Sequence, residues 1–200
     1  MWKKLYEWWG LTGHRARLTR ALSPTIATFR GVVLDVGGGR PAWRDTSWGP
    51  NARRIRVDID PTHRPDVLAD TFSLPFPNGS VDVVLMREIL EHIHSPVEAI
   101  AEAYRVLRPG GILCGSVPFM FPVHADPSDY FRYTGESLRH LLKAFRAAKV
   151  VAHGNHFGAA WTLVSSRSRI WRVFNPVMRL LGGLTPDDRC PEGYTFVATK

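Results

Sequence analysis

An open, doubly wound α/β sheet is the fold class this sequence predicts, and three observations carry the prediction. Apolar strand-like runs alternate with helix-like segments along the chain. The strongest runs are continuous rather than alternating, as parallel strands covered on both faces require. The first of them, Val32 to Val36, collapses into Gly37-Gly38-Gly39, a turn that lets a ligand approach the backbone at a strand's carboxyl end.

The elements follow in order. Trp2 to Leu22 reads as a helix with Trp2, Leu5, Tyr6 and Trp9 on one face, stopped before Ser23-Pro24. Gly31 to Val36, Arg54 to Ile59 and Val81 to Met86 read as strands. Ser95-Pro96-Val97-Glu98 is a capping box with proline at the first helical position. Its helix shows Val97, Ile100, Ala101 and Tyr104 on one face and ends at Arg108-Pro109-Gly110-Gly111. Ile112 to Val117 is the next strand. A helix after Thr134 carries Leu138, Leu141, Leu142 and Phe145 and leads to a strand at Ala148 to Ala152. A basic helix from about Trp161 to Leu181 and a last strand at Tyr194 to Thr199 complete the chain.

The 200 residues suit one domain, and 44% apolar with 22% charged residues is the composition of a soluble globular protein. No apolar run approaches the roughly 20 residues that span a bilayer, and Met1 to Gly10 lacks a signal-type apolar core, so a cytoplasmic location is expected. Cys114 and Cys190 stand outside any CxxC or Cys/His spacing, which argues against a disulfide framework and a zinc site. The net charge of +8 points to anionic partners: nucleic acid, phosphorylated metabolites or a membrane surface. Its cations are dense in Trp2 to Arg30 and in Arg167 to Arg179.

Two cofactor classes compete for the glycine turn. Gly37-x-Gly39-x-x-Ala42 followed by Asp58 fits a nicotinamide dinucleotide fingerprint. Against it, Asp35 would repel a pyrophosphate, and Pro41 with the turn-rich Asp45 to Asn51 makes a poor helix N-terminus for phosphate. Asp35 could instead accept hydrogen bonds from the ammonium of S-adenosylmethionine, directly or through water.

VVLDVGGGR, VDIDP, DTFSLPFPNGSVDVVLMREILEHI and YRVLRPGGIL, in that order over Val32 to Val151, resemble the signature blocks of class I S-adenosylmethionine-dependent methyltransferases of the UbiE-like, type 11 kind. The resemblance implies a Rossmann-like, mostly parallel seven-stranded sheet with helices on both faces and an antiparallel last strand. It also implies an N-terminal helical cap (1–30), a cofactor-binding core (31–152) and a C-terminal basic helix with the last strand (153–200). By position, Gly37 and Gly39 would lie against the methionine and ribose, Asp58 would take the ribose diol, and Ile59 would pack on the adenine face. Asp70, with the backbone of Thr71 and Phe72, would read the adenine edge; Arg87 would stand near the cofactor's carboxylate. Asp60 competes with Asp58 or caps the turn after it, Asp82 reads as structural, and Arg40-Pro41 depart from the small residue the family carries there.

After Ile112 to Val117 comes PFMFPVHADPSDYFRYT, an apolar aromatic wall followed by polar groups. It resembles the substrate loop of small methyltransferases of bacterial cell-surface polysaccharide and glycolipid synthesis. His124 is the candidate general base, oriented by Asp126 or Asp129, with Tyr130, Arg132 and His92 toward the acceptor. The plainer alternative makes residues 126–129 a tight turn, Thr134 a helix cap and His92 a histidine satisfied by backbone. The expected function is methyl transfer from S-adenosylmethionine to a small or lipid-linked acceptor, a sugar hydroxyl. The alternatives are an RNA or DNA methyltransferase and a non-catalytic binding subunit. Against specific nucleic-acid use, REILEH follows VDVVLM where a base-methylating enzyme carries Asn/Asp-Pro-Pro-aromatic. The basic aromatic ends suggest peripheral membrane contact or a lid on the core.

Overall fold

The computed structural model describes residues 13–38, 47–124, 128–167, 174, 177 and 189–200. Helix α1 spans Gly13–Ile26 and strand β1 Gly31–Val36, followed by β2 (Ala52–Asp58), β3 (Val67–Leu68), β4 (Val81–Arg87) and α2 (Pro96–Val106). Then come β5 (Leu107–Pro118), α3 (Gly135–Leu141), β6 (Ala147–His153), α4 (His156–Arg167) and β7 (Gly193–Thr199). The seven strands form one sheet in the order β3-β2-β1-β4-β5-β7-β6. β3 to β5 run parallel, while β7 pairs antiparallel with both β5 and β6. This is the doubly wound, Rossmann-like sheet expected.

Both faces of the sheet are covered, which explains the continuous apolar strands. Val33, Val83, Leu85 and Cys114 share a buried cluster with Leu22 and Ile26 of α1. Leu34, Val84, Met86 and Leu113 share another with Ala99, Ile100 and Ala103 of α2 and Leu138 of α3. Successive residues of β1 and β4 thus serve opposite cores, and each large side chain removed from water contributes about 1.5–3 kcal/mol. Burial drives the Cys114 thiol up to about 12, which makes it an inert core group.

Three local expectations are corrected. The first helix does not stop before Ser23-Pro24 but continues to Ile26, because Leu22, Ile26 and Phe29 are all buried and burial outweighs one missing N–H donor in the last turn. Ser95 makes no side-chain cap; Pro96 begins α2, and the Ser95 carbonyl accepts from Ala99 N–H at 3.2 Å. Arg108-Pro109-Gly110-Gly111 does not separate helix from strand, since β5 already begins at Leu107 opposite Val81 and tolerates a register shift.

Other expectations hold. Thr134 Oγ1 accepts from Ser137 N–H at 3.1 Å and caps α3. Asp82 is structural: it accepts from Val32 N–H at 2.7 Å and Arg108 Nε at 2.6 Å. Of the predicted basic helix over Trp161 to Leu181, the stretch Trp161 to Arg167 lies in α4, which begins earlier, at His156; apart from Phe174 and Val177 its remainder lies outside the described residues, as does Trp2 to Thr12 of the predicted first helix. No helix among the described residues is long and apolar enough to cross a membrane.

Candidate active site

The site grows from the carboxyl ends of β1, β2 and β4. Gly37 has φ +68°, and its N–H donates to the Val57 carbonyl at 2.7 Å, tying the turn to β2. That left-handed φ favours glycine, and a Cβ there would also stand 2.0 Å from Ile89 Cδ1 and displace the end of that side chain. Beneath the turn Asp35 is 1% exposed and is gripped by two guanidinium groups. Arg54 donates to it through Nε at 2.8 Å and also through Nη2, and Arg87 Nη2 donates at 2.9 Å. Arg54 also reaches the Gly38 carbonyl at 3.1 Å. Burial lowers the pKa of Arg87 while the Asp35 charge opposes that shift.

At the end of β2, Asp58 Oδ1 accepts from Asp60 N–H at 3.0 Å and Oδ2 lies 3.0 Å from His63 Nδ1. Asp60 takes the capping role: its Oδ1 accepts from Thr62 N–H at 2.8 Å and Thr62 Oγ1 at 2.7 Å. The two-residue strand β3 was not foreseen. It brings Ala69 N–H to the Asp58 carbonyl at 3.0 Å, and so sets Asp70 beside β2. Asp70 Oδ1 accepts from Phe72 N–H at 3.0 Å, and Ile59 is 64% exposed toward the same cleft.

The opposite wall comes from two segments far apart in sequence. After β4, Glu88 takes φ +55° and its carboxylate meets His14 Nε2 at 2.9 Å; a 3-10 turn, Leu90–His92, follows. After β5, the loop to Thr134 folds back onto this turn. Tyr130 N–H donates to the Glu91 carbonyl at 2.7 Å, Tyr133 Oη to the Leu90 carbonyl at 2.9 Å, and His92 Nδ1 stands 2.6 Å from the Ser128 carbonyl. Asp129 accepts from His124 N–H at 2.8 Å and from Arg132 Nη2 at 2.6 Å. The Arg132 guanidinium holds the Asp129 pKa down to about 2. Burial lowers that of His124.

The structure brings most of the predicted residues into one cleft of about 380 Å³. Gly37, Asp58, Ile59, Asp70, Thr71, Phe72, Arg87, His92, His124 and Tyr130 all line it. Asp35, Asp129 and Arg132 stand behind that lining: Asp35 in its arginine clamp, Arg132 on Asp129 and the carbonyls of Phe121 and Pro122. Gly39 and Asp126 lie outside the described residues. Glu91 pairs with His92 in the family's pattern, but sequence reasoning gave it no role; it is fully buried, and its carboxyl pKa is driven well above the usual range by burial and then by Glu88. It stands beside His92 in the same block, but only the fold reveals that its side chain turns inward.

Comparison with known proteins places this geometry. Residues 34–115 match the family model described as a methyltransferase domain. An uncharacterized methyltransferase of Mycolicibacterium paratuberculosis is 33% identical over 152 residues, 67% of this chain and 57% of that protein. The chain thus spans a little over half the length of that relative. In fold, it resembles a SAM-dependent methyltransferase from Archaeoglobus fulgidus, with TM-score 0.61 at 20% identity over 93% of this chain and 92% of that one. Haemonchus contortus phosphoethanolamine N-methyltransferase 2, in complex with S-adenosyl-L-methionine, gives TM-score 0.60 at 16% identity over 91% and 51%.

S-adenosylmethionine is the cofactor of such a domain, and the cleft fits it on its own residues. The turn at Gly37 takes the left-handed φ that brings backbone to the cleft without a side chain, Asp58 offers carboxylate oxygens that can each accept a second hydrogen bond for a vicinal diol, and Ile59 presents exposed apolar surface for a ring. Asp70, Thr71 and Phe72 line the adjoining wall.

Proposed function

We propose that this chain, a class I S-adenosylmethionine-dependent methyltransferase by its domain and its relatives, methylates a hydroxyl of a small or lipid-linked saccharide at the histidine-lined end of the cleft. The observation that supports the reading is a single cleft of two characters. Asp58, Ile59 and Asp70, which follow β2 and β3, line it together with His92, His124 and Tyr130, which follow β4 and β5.

S-adenosylmethionine supplies, when bound, a methyl group already activated on a sulfonium. The chain's own task is to place the acceptor, exclude water and take care of the acceptor's proton. Tyr130, 53% exposed in the cleft, offers a ring face and a phenol to a sugar. Phe121 packs its ring against His124 at 4.9 Å and His14 at 5.0 Å, which keeps water from the back of the loop. Asp129 positions His124 through its backbone N–H, and Arg132 holds Asp129. His92 and His124 are the groups placed to hold and deprotonate the hydroxyl.

Isothermal titration with S-adenosylmethionine, followed by transfer of labelled methyl to a panel of saccharides, tests this. Binding near micromolar, about −8 kcal/mol, and label on saccharide are expected. Folded protein that binds no S-adenosylmethionine overturns the cofactor site, and label found only on nucleic acid overturns the acceptor class. For a lipid-linked acceptor the exposed Phe157, Leu163 and Val164 of α4 offer an apolar contact to a bilayer surface. Co-sedimentation with anionic liposomes that weakens as salt rises is then expected; protein that stays in the supernatant at low salt removes the membrane part of the reading.

A further inference from the structure

We propose that Glu91, His92 and His124 form a site for a divalent transition-metal cation, which holds the acceptor's oxygen at the inner end of the cleft. This deepens the reading above and rests on it for the acceptor.

One ligand atom from each of the three residues lies within 4.8 Å of the others. His92 Nε2 is 3.7 Å and His124 Nε2 3.9 Å from Glu91 Oε1, beyond hydrogen-bond length. The tautomers follow from the other ring nitrogens. His92 Nδ1 faces the Ser128 carbonyl at 2.6 Å, a pure acceptor, so the ring proton sits on Nδ1 and Nε2 presents its lone pair. His124 Nδ1 faces two acceptors, the Pro122 carbonyl at 3.2 Å and Asp129 Oδ2 at 3.3 Å, which selects the same tautomer. Backbone or carboxylate anchoring of one imidazole nitrogen, with the other directed inward, is how metal-binding histidines are held.

Glu91 supplies the independent observation. Its side chain is 0% exposed, and among the described residues neither carboxyl oxygen has a hydrogen-bond partner. An unmatched buried carboxylate is costly, and here it faces two imidazole lone pairs rather than a donor. One proton on Glu91 would satisfy one oxygen; one cation satisfies all three residues. Two imidazoles with one carboxylate suit Mn²⁺, Fe²⁺, Co²⁺ or Zn²⁺ better than the all-oxygen preference of Mg²⁺ or Ca²⁺. Metal–ligand bonds of about 2.0–2.2 Å at tetrahedral angles put ligand atoms about 3.3–3.6 Å apart, so the two histidine–glutamate pairs close by a few tenths of an ångström and the widest separation in the trio, within 4.8 Å, by up to about an ångström. His124, on a loop and 30% exposed, can supply that movement.

His92 and His124 both line the cleft, so the remaining coordination positions open toward the acceptor. A hydroxyl bound there would lose its O–H proton to water, the electron pair staying on oxygen; that oxygen would then bond to the methyl carbon as the carbon–sulfur bond of S-adenosylmethionine breaks, its electron pair staying on sulfur to leave S-adenosylhomocysteine. In the loaded site the two histidines act as ligands, and no side chain need carry the proton.

The test uses full-length, chelator-treated protein titrated with Co²⁺ and followed by its visible ligand-field absorption. One saturable Co²⁺ per chain is expected, weakened at least tenfold in Glu91→Gln and in His124→Ala, and unchanged in His140→Ala on the exposed surface of α3. Circular dichroism checks the buried Glu91 variant, and the loop variant His124→Ala carries the test if Glu91→Gln does not fold. Absence of saturable binding, or equal binding by His124→Ala, overturns the site. S-adenosylmethionine titrated into the same samples separates the two readings: cofactor binding without Co²⁺ sinks the cation site alone. Co²⁺ binding without cofactor leaves the site standing and removes the acceptor assigned to it.

Discussion

At the cofactor end of the cleft, Asp58, Asp60 and Asp70 are each fixed by a partner no more than five residues away: Asp60 N–H and His63 for Asp58, Thr62 for Asp60, Phe72 N–H for Asp70. Along the wall that carries His92 and His124 the partners are distant. His92 meets Ser128 across 36 positions, Leu90 meets Tyr133 across 43, and Glu88 meets His14 across 74. The first end is therefore local turn chemistry mounted on strand ends, whereas the second exists only once two loops and the first helix have come together. The same contrast separates the expected roles, since a cofactor common to many enzymes needs a standard cradle and the acceptor needs a wall particular to this one.

Three variants press on that contrast. The largest effect is expected for His124→Ala, where turnover should fall by about 10²–10⁴ with affinity for S-adenosylmethionine nearly intact. Measured by single-turnover kinetics and calorimetry, equal losses in both quantities would show that the two ends are not independent. Asp58→Ala should act on the other end alone. Each charge-assisted hydrogen bond to the ribose is worth about 1.5–3 kcal/mol, so S-adenosylmethionine affinity should drop about 10- to 100-fold or more with thermal stability little changed. Unchanged affinity would move the ribose site elsewhere.

The smallest effect concerns pH. Asp129 is held down to about 2 by Arg132, against 3.8 unperturbed. A carboxyl depressed in the folded state contributes stability that is fully present above its unfolded pKa and is lost as pH falls through the folded one. Wild type should therefore exceed Asp129→Asn in urea midpoint by a constant margin from neutral pH down to about 4.5, with the gap closing between about pH 4 and 2. A gap that persists at pH 2 would mean that the carboxylate charge is not what clamps the acceptor loop.

Much of the cofactor end was legible in the chain because its signals are contiguous. Gly37 and Asp58 stand out by residue type at the ends of apolar runs, whereas Asp70 was singled out by the block the chain shares with the family it resembles. Pro24 within α1 and the uncapped Ser95 were misread for the opposite reason, because a local signal was outweighed by burial or replaced by a proline that already starts the helix. The strand β3 was invisible, since two residues carry no periodicity.

By itself the sequence determined the order of the helices and of every strand but β3, and the two-sided burial of the sheet, because periodicity and turn chemistry act over short stretches. Tertiary structure alone decided that Asp35 spends its charge on Arg54 and Arg87, that Asp60 caps its turn while both it and Asp58 line the cleft, and that Glu91 turns inward beside two histidines. Those outcomes depend on which groups from separate strands and loops arrive at the same place, and on the burial they create there, which no spacing along the chain encodes.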